Sequence, residues 1–162
     1  MRFTISIVED AGHDARLAQA LRANNFEVIE YPDGRSALAG LRIVRPDLMI
    51  LDVTLPDMDG REVLAQIIED ERTRQLPVIA LTTPAMAGDR ARLMRAGFDE
   101  YVMKPITDDA MLLGAIARSL VAASKSSEYR VTVSPRIQTA KPSVSAAPVA
   151  ALPAAGTSPA LG

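Results

Sequence analysis

Five short apolar runs alternate with amphipathic segments along residues 3–122, and this alternation restricts the fold more than any other feature of the sequence. The apolar runs have the length of strands and are too short for membrane-spanning helices; they cover residues 3–8, 26–31, 47–51, 77–81 and 100–103. Between them, apolar side chains recur every three or four residues, as at Leu17 and Leu21, so each segment is predicted to be a helix with one apolar stripe. Alternating strands and helices favour parallel strands joined by right-handed crossovers.

The predicted fold class is therefore α/β, with a doubly wound, five-stranded parallel sheet in the order 2-1-3-4-5 and five flanking helices, as in flavodoxin. Local signals agree with this prediction. Asp59 followed by Glu62 resembles a capping box, and Thr107 followed by two aspartates suits the start of a helix. Gly97 suits the end of one.

The composition changes after Ala123, which predicts one domain over residues 1–123 and a tail over residues 124–162. Because the tail is rich in Ala, Pro and Ser, we expect it to bury too little surface to offset the entropy of ordering and to remain flexible. Within it, residues 129–133 (YRVTV) alternate apolar and polar side chains, so they could add a strand to a partner, although an unstructured connector is the favoured interpretation.

Charge and composition restrict the partners and the location. Residues 1–123 hold 19 acidic and 14 basic side chains, so no general electrostatic attraction to nucleic acid is expected. The chain contains no cysteine and begins with neither a signal peptide nor a membrane span, which predicts a soluble, cytoplasmic protein.

Three acidic residues follow two strands that should be neighbours at the centre of the sheet. Glu9 and Asp10 close the first strand, and Asp52 closes the third. Since the carboxyl ends of parallel strands meet at one edge, we expect the three side chains to converge on one small pocket. Two carboxylates roughly 4 Å apart repel each other by about 4 kcal/mol at an effective dielectric constant near 20, so a cation is needed between them. Mg²⁺ is the predicted ion, since helix capping would explain any one of these acids but not all three.

Two more polar residues are expected at the same edge. Lys104 is the only lysine among residues 1–123, where the other 13 basic residues are arginines, and it directly follows the fifth strand. Its ammonium suits contact with a carboxylate or a phosphoryl oxygen, although a surface lysine is the simpler alternative. Thr82 ends the fourth strand and offers a hydroxyl group. With the three acids, these residues would form a site able to bind Mg²⁺ and to place a phosphoryl group on a carboxylate.

Four motifs in this order and spacing, IVED, MILDVTLPDMDG, IALTT and YVMKP, resemble the receiver domain of bacterial two-component response regulators over about residues 3–122. The resemblance implies a CheY-like fold of the stand-alone type, with Asp52 as the phosphoacceptor. It also implies that Mg²⁺ is held by Glu9, Asp10, Asp52 and the main-chain carbonyl of Thr54. The other acids of the second motif are assigned elsewhere, Asp57 to the turn and Asp59 to the cap of the next helix.

The resemblance further implies that Lys104 and Thr82 bind the phosphoryl oxygens and that Tyr101 is the switch aromatic. The phosphodonor would be a sensor histidine kinase or a His-phosphotransfer protein. The downstream partner would be a protein of unknown identity that binds the face formed by the fourth helix, fifth strand and fifth helix. The protein would be a monomer, or a weak dimer formed through the same face. The protein would be a signalling domain that supports its own phosphorylation and dephosphorylation, and not an enzyme in the usual sense. Pro84, two residues after Thr82, would slow the loss of the phosphoryl group.

Three alternatives stay open at this point. The chain could be a receiver-like binding module that takes no phosphate, or the receiver fragment of a longer regulator. It could also be an Mg²⁺-dependent phosphatase of the haloacid dehalogenase type, although those enzymes have a second aspartate at the position where this chain has Thr54. His13, the only histidine, is interpreted as a surface residue and not as a phosphodonor.

Overall fold

A computed structural model gives the fold of residues 1–11, 15–83 and 90–132. The strands of its sheet are β1 (Thr4–Val8), β2 (Glu27–Tyr31), β3 (Leu48–Asp52), β4 (Val78–Thr82) and β5 (Glu100–Met103). The helices are α1 (Arg16–Ala23), α2 (Gly34–Leu41), α3 (Gly60–Glu69), α4 (Arg90–Ala96) and α5 (Asp109–Thr132). All neighbouring strands are parallel in the order β2-β1-β3-β4-β5, which confirms the predicted fold class.

The hydrophobic core lies in two layers, one on each face of the sheet. One layer packs α1 and α5 against the sheet through side chains such as Leu21 and Ile116, and the other packs α2, α3 and α4 through side chains such as Leu64 and Leu93. Every residue of β3 and β4 is buried, because both strands are central and covered on both faces. Asp52, at the end of β3, is therefore a shielded acidic residue that directly follows a fully buried apolar run.

The predicted helix boundaries have the expected caps. The Asp59 carboxylate accepts a hydrogen bond from the Arg61 N–H at the start of α3, and the Asp108 carboxylate accepts one from the Ala110 N–H at the start of α5. Gly97 follows α4 with a φ of 111°, a conformation that costs glycine little. Its N–H and that of Phe98 donate back to the carbonyls of the last turn, which is a Schellman ending.

Helix α5 is longer than predicted. It continues to Thr132, so the expected boundary at residue 123 lies inside the helix, and residues 129–132 are helical instead of extended or unstructured. No proline or glycine occurs between Gly114 and Pro135, and the stretch contains four alanines together with Leu, Arg, Lys and Glu, which are compatible with a helix. The hydroxyl groups of Ser124 and Ser126 donate to the carbonyls four residues earlier instead of interrupting the helix. The predicted tail beyond residue 132 lies outside the described residues.

Length alone does not make α5 a membrane helix. Among residues 1–11, 15–83 and 90–132, no helix is both long and apolar enough to cross a bilayer.

The start of α3 lies unusually close to the end of β3. A Cβ atom added at Gly60 would lie 2.3 Å from the carbonyl oxygen of Asp52 and 2.8 Å from the Cα of Val53, both of which are main-chain atoms. The Gly60 N–H also donates to the Val53 carbonyl at 2.8 Å. The missing side chain therefore lets α3 begin directly against the residue that ends β3.

We expect Gly60→Ala to lower the free energy of unfolding by about 1–3 kcal/mol, because the main chain around Asp52 has to move to admit a methyl group. Gly114→Ala is the matched control. Gly114 lies inside α5, where an added Cβ would meet only the end of the flexible Arg118 side chain. Gly114→Ala should therefore raise the free energy of unfolding by about 0.5–1 kcal/mol. Urea unfolding of both variants measures the difference, and equal effects would contradict the close approach.

Candidate functional site at the carboxyl end of the sheet

The ammonium of Lys104 lies between two acidic side chains at the carboxyl end of the sheet. Its Nζ contacts Oε1 of Glu9 at 2.7 Å and also contacts Oδ2 of Asp52. The three side chains come from β5, β1 and β3 or the residues directly after them, and all are largely shielded from water, with exposed fractions of 16%, 12% and 7% for Lys104, Glu9 and Asp52. The structure therefore brings together three of the predicted site residues.

Electrostatics keep this lysine charged. Burial alone would lower the pKa of Lys104, but the hydrogen bonds to Asp52 and Glu9 and the attraction of their charges outweigh burial and raise the pKa above its usual value. The ammonium is thus present throughout the physiological pH range. It supplies the positive charge that neighbouring carboxylates need if they are to share a site.

The Asp52 carboxylate is held at both oxygens. While Oδ2 contacts Lys104, Oδ1 accepts a hydrogen bond from the Thr54 N–H at 2.8 Å. Thr54 lies in the loop after β3 and forms an isolated antiparallel bridge with Asp59. The contacts with Lys104 and with the Thr54 N–H therefore fix the plane of the Asp52 carboxylate.

Thr82 and Tyr101 lie on the side of the site formed by β4 and β5. Thr82 is 2% exposed, and its hydroxyl group donates to the Thr83 carbonyl at 3.4 Å, a long hydrogen bond. The Tyr101 ring is half-buried, and the guanidinium of Arg90 at the start of α4 lies 5.4 Å from its centre. The Lys104 N–H donates to the Thr82 carbonyl, which links the end of β4 to the lysine of the site.

Asp10 does not join the other two acids. Its residue is exposed, and in the part of the chain that the structure describes no three acidic or histidine side chains are grouped closely enough to hold a metal ion. Of the three acids predicted to converge, Glu9 and Asp52 lie together, and both contact Lys104. A metal-binding role of Asp10 stays a prediction.

Two further residues of the sequence analysis, His13 and Pro84, lie outside the described residues.

The contact made by Asp57 was missed. Its two carboxylate oxygens accept hydrogen bonds from the N–H groups of Gly34 and Arg35, both at 2.9 Å, so it caps α2 from the loop after β3. The sequence analysis assigned Asp57 only to its own turn. No local spacing indicates a contact across 23 residues, although a glycine at the first position of α2 is compatible with another segment packing there.

These observations define the class of the protein. A parallel sheet of this order, with an aspartate and a lysine in contact at its carboxyl end, is the arrangement of CheY-like receiver domains. The chain belongs to the response regulator receiver domain family, whose model matches residues 5–116. This family consists of signalling domains of two-component systems, which interact with histidine kinases and with downstream targets.

Similar proteins include the polar-differentiation response regulator DivK of Brucella anthropi, which is 38% identical over 105 residues, or 64% of this chain and 85% of the relative. Among solved structures, the receiver domain of a sensor histidine kinase from Pseudomonas aeruginosa is 30% identical, covering 74% of this chain and 98% of that one with a TM-score of 0.66. It is described with a magnesium ion coordinated in its active-site cleft. A CheY-like receiver domain protein from Methanospirillum hungatei is 28% identical, covering 78% and 99% of the two chains with a TM-score of 0.67.

We expect Lys104→Met to lower the free energy of unfolding by about 2 kcal/mol or more, because two shielded carboxylates then face each other without a cation. In a Glu9→Gln background, Lys104→Met should lower the free energy of unfolding by less, because Asp52 is then the only one of the two acids that is charged. Urea unfolding of the two single variants and the double variant measures this coupling, which we expect to be about 1 kcal/mol.

The control cycle uses Arg118→Met and Glu100→Gln, because this ion pair is more exposed, with 63% of the Arg118 side chain accessible. Its coupling should be well below 1 kcal/mol. Equal coupling in the two cycles would mean that the Lys104 site behaves as an ordinary surface pair.

Proposed function

We propose that this receiver domain accepts a phosphoryl group on Asp52 from the phosphohistidine of a sensor histidine kinase or a His-phosphotransfer protein. The observation that carries the proposal is the contact between Lys104 and Asp52, a shielded carboxylate at the end of a central strand. Membership of the receiver family supports the same conclusion.

In the proposed transfer, an Asp52 carboxylate oxygen attacks phosphorus while the bond between phosphorus and the donor histidine nitrogen breaks. The product is an acyl phosphate on Asp52 and a free histidine. The phosphoryl oxygens on Asp52 would lie beside the Lys104 ammonium, a point charge suited to bind them. Thr82 ends the neighbouring strand. Among the described residues, its hydroxyl group makes one long hydrogen bond, to the Thr83 carbonyl, which it would give up on turning toward the phosphoryl group.

The proposed cofactor is Mg²⁺, and the donor set is compatible with it. Carboxylate and carbonyl oxygens are the ligands that this ion prefers, and Glu9, Asp52 and the Thr54 carbonyl lie on adjacent segments at the carboxyl end of the sheet. Asp10, which follows Glu9 and is exposed, would have to turn toward Asp52 to supply a fourth oxygen donor. When bound, the ion would neutralise charge that develops on the phosphoryl oxygens.

Phosphorylation would then change the face formed by α4, β5 and α5. A phosphorylated carboxylate gains charge and hydrogen-bond acceptors, so Thr82 is drawn toward it and the space beside Tyr101 changes. Tyr101 already borders a cavity of about 660 Å³ on this face, whose lining includes Arg90, Met103 and Met111. The side chains of Met103 and Met111 are exposed, which supports this face as the surface that a downstream protein reads.

The remaining predictions of the sequence analysis form part of the same proposal. The protein would act in a bacterial cytoplasm as a monomer or as a weak dimer through α4, β5 and α5. It would bind a downstream protein and not nucleic acid. Its own contribution to phosphorylation and dephosphorylation would come from the residues around Asp52.

We expect Asp52→Asn to abolish labelling by acetyl phosphate with Mg²⁺, because the amide cannot form the acyl phosphate. Asp70→Asn is the control, since Asp70 is exposed to solvent and paired with Arg72 away from the site; it should be labelled like the wild type. Intact-mass measurement detects the added group. Labelling of Asp52→Asn would overturn the assignment of the phosphoacceptor, and an unlabelled wild type would favour the binding-module alternative.

We expect Tyr101→Ala to keep labelling of Asp52 but to restrict the structural response. In the wild type, amide NMR shifts on phosphorylation should extend from Asp52 to Met103 and Met111. In Tyr101→Ala they should stay near the phosphorylated residue, because no ring repositions on the α4, β5 and α5 face. A response of wild-type extent in the variant would exclude Tyr101 as the switch residue.

A further inference from the structure

The loop between β3 and α3 carries two atoms of the proposed site, the Thr54 N–H that holds Asp52 and the Thr54 carbonyl. Close contacts secure both ends of this loop. The Gly60 N–H donates to the Val53 carbonyl at 2.8 Å, and Thr54 and Asp59 form a bridge. These contacts join the two ends of the loop to each other, but they do not fix the orientation of the loop relative to the other helices.

The tip of the loop is bound to a different element. Asp57 accepts hydrogen bonds from the N–H groups of Gly34 and Arg35, which open α2. Next to it, Met58 packs so closely on Gly34 that a Cβ added there would lie 2.7 Å from the Met58 Cγ. Two independent contacts, one polar and one apolar, therefore hold the loop tip against the first turn of α2.

The charge of the Asp57 carboxylate strengthens its contact with the first turn of α2. Burial raises the pKa of the Asp57 carboxyl, but the hydrogen bonds from the N–H groups of Gly34 and Arg35, with those of Asp57 and Met58, outweigh burial and hold the pKa below its usual range. The ionised carboxylate, which is the stronger acceptor, is therefore present at neutral pH. The negative charge also lies at the positive end of α2. A second carboxylate, that of Asp33, caps the same helix through the Ser36 N–H at 2.7 Å, and in the described part of the chain it makes no hydrogen bond to the loop after β3.

We propose that Asp57 is a positioning residue: by binding the first turn of α2, it fixes the loop that presents the Thr54 N–H to Asp52 and the Thr54 carbonyl to Mg²⁺. The residue touches neither the metal nor the phosphoryl group and acts only through the loop. This inference rests on the proposed function in one respect, the use of the Thr54 carbonyl as a metal ligand.

The test compares Asp57→Ala with Asp33→Ala in the full chain. Each change removes a carboxylate from the same helix start, but only Asp57→Ala releases the loop tip. Asp57→Asn, which keeps the shape and one acceptor oxygen, provides a milder variant should the alanine variant fold poorly. Two readouts are measured by NMR: amide hydrogen exchange at Thr54 and Gly60 without metal, and the Kd for Mg²⁺ from a titration with the metal alone.

We expect faster exchange at Thr54 in Asp57→Ala and wild-type exchange there in Asp33→Ala. The Kd for Mg²⁺ should rise about tenfold in Asp57→Ala, which is the usual effect of removing a residue that orients a ligand, and less than twofold in Asp33→Ala. Asp57→Asn should lie between the wild type and Asp57→Ala in both measurements. Acetyl phosphate labelling should slow in the same order.

Equal changes in Asp57→Ala and Asp33→Ala would overturn the inference, because both residues would then act only as caps of α2. Unchanged exchange at Thr54 in Asp57→Ala would also overturn it. A wild type that neither binds Mg²⁺ nor is labelled would refute the proposed function and, with it, the link to the metal. The exchange comparison at Thr54, made without metal, distinguishes that failure from a failure of Asp57 to fix the loop.

Discussion

The contact of one ammonium with two carboxylates is the interaction on which the site depends. Glu9 and Asp52 follow neighbouring strands, so the sheet forces their side chains together whether or not their charges allow it. Lys104 makes this placement tolerable by supplying a positive charge from a third strand segment. A phosphoryl group or a metal ion arriving at the site would therefore compete with or add to an existing set of charged contacts. It would not enter a neutral pocket.

The two apolar layers explain why Asp52 can be both shielded and precisely placed. Residues 48–51 are buried between the layers, and Asp52, itself 5% exposed, ends the strand with its carboxylate against Lys104 and the Thr54 N–H. Gly60 allows α3 to start against the same residue, and Thr54 holds one of its oxygens. Backbone atoms of the following loop thus shape the site as much as charged side chains do.

Much of this arrangement follows from the sequence, because strand length, helical periodicity and the position of an acid after an apolar run are local properties. The five strands, their order and the meeting of Glu9, Asp52 and Lys104 could be predicted in this way. The exposure of Asp10 could not, because it depends on the path of the chain after β1. Nor could the contact of Asp57 with α2, which joins segments 23 residues apart. The end of α5 was misjudged because serine and alanine are compatible with both a helix and an unstructured tail.

The length of α5 has a mechanical consequence. At 1.5 Å per residue its 24 residues extend about 36 Å, roughly twice the span of a five-residue strand. The helix begins near the site, a few residues after Lys104, and its far end lies well away from it. Because displacement grows with distance from the pivot, a rigid tilt of α5 by a given angle would move Thr132 further than residues near the start of the helix. Thr132 also lies about 21 Å along the helix from Arg118, where the contribution of α5 to the cavity beside Tyr101 ends.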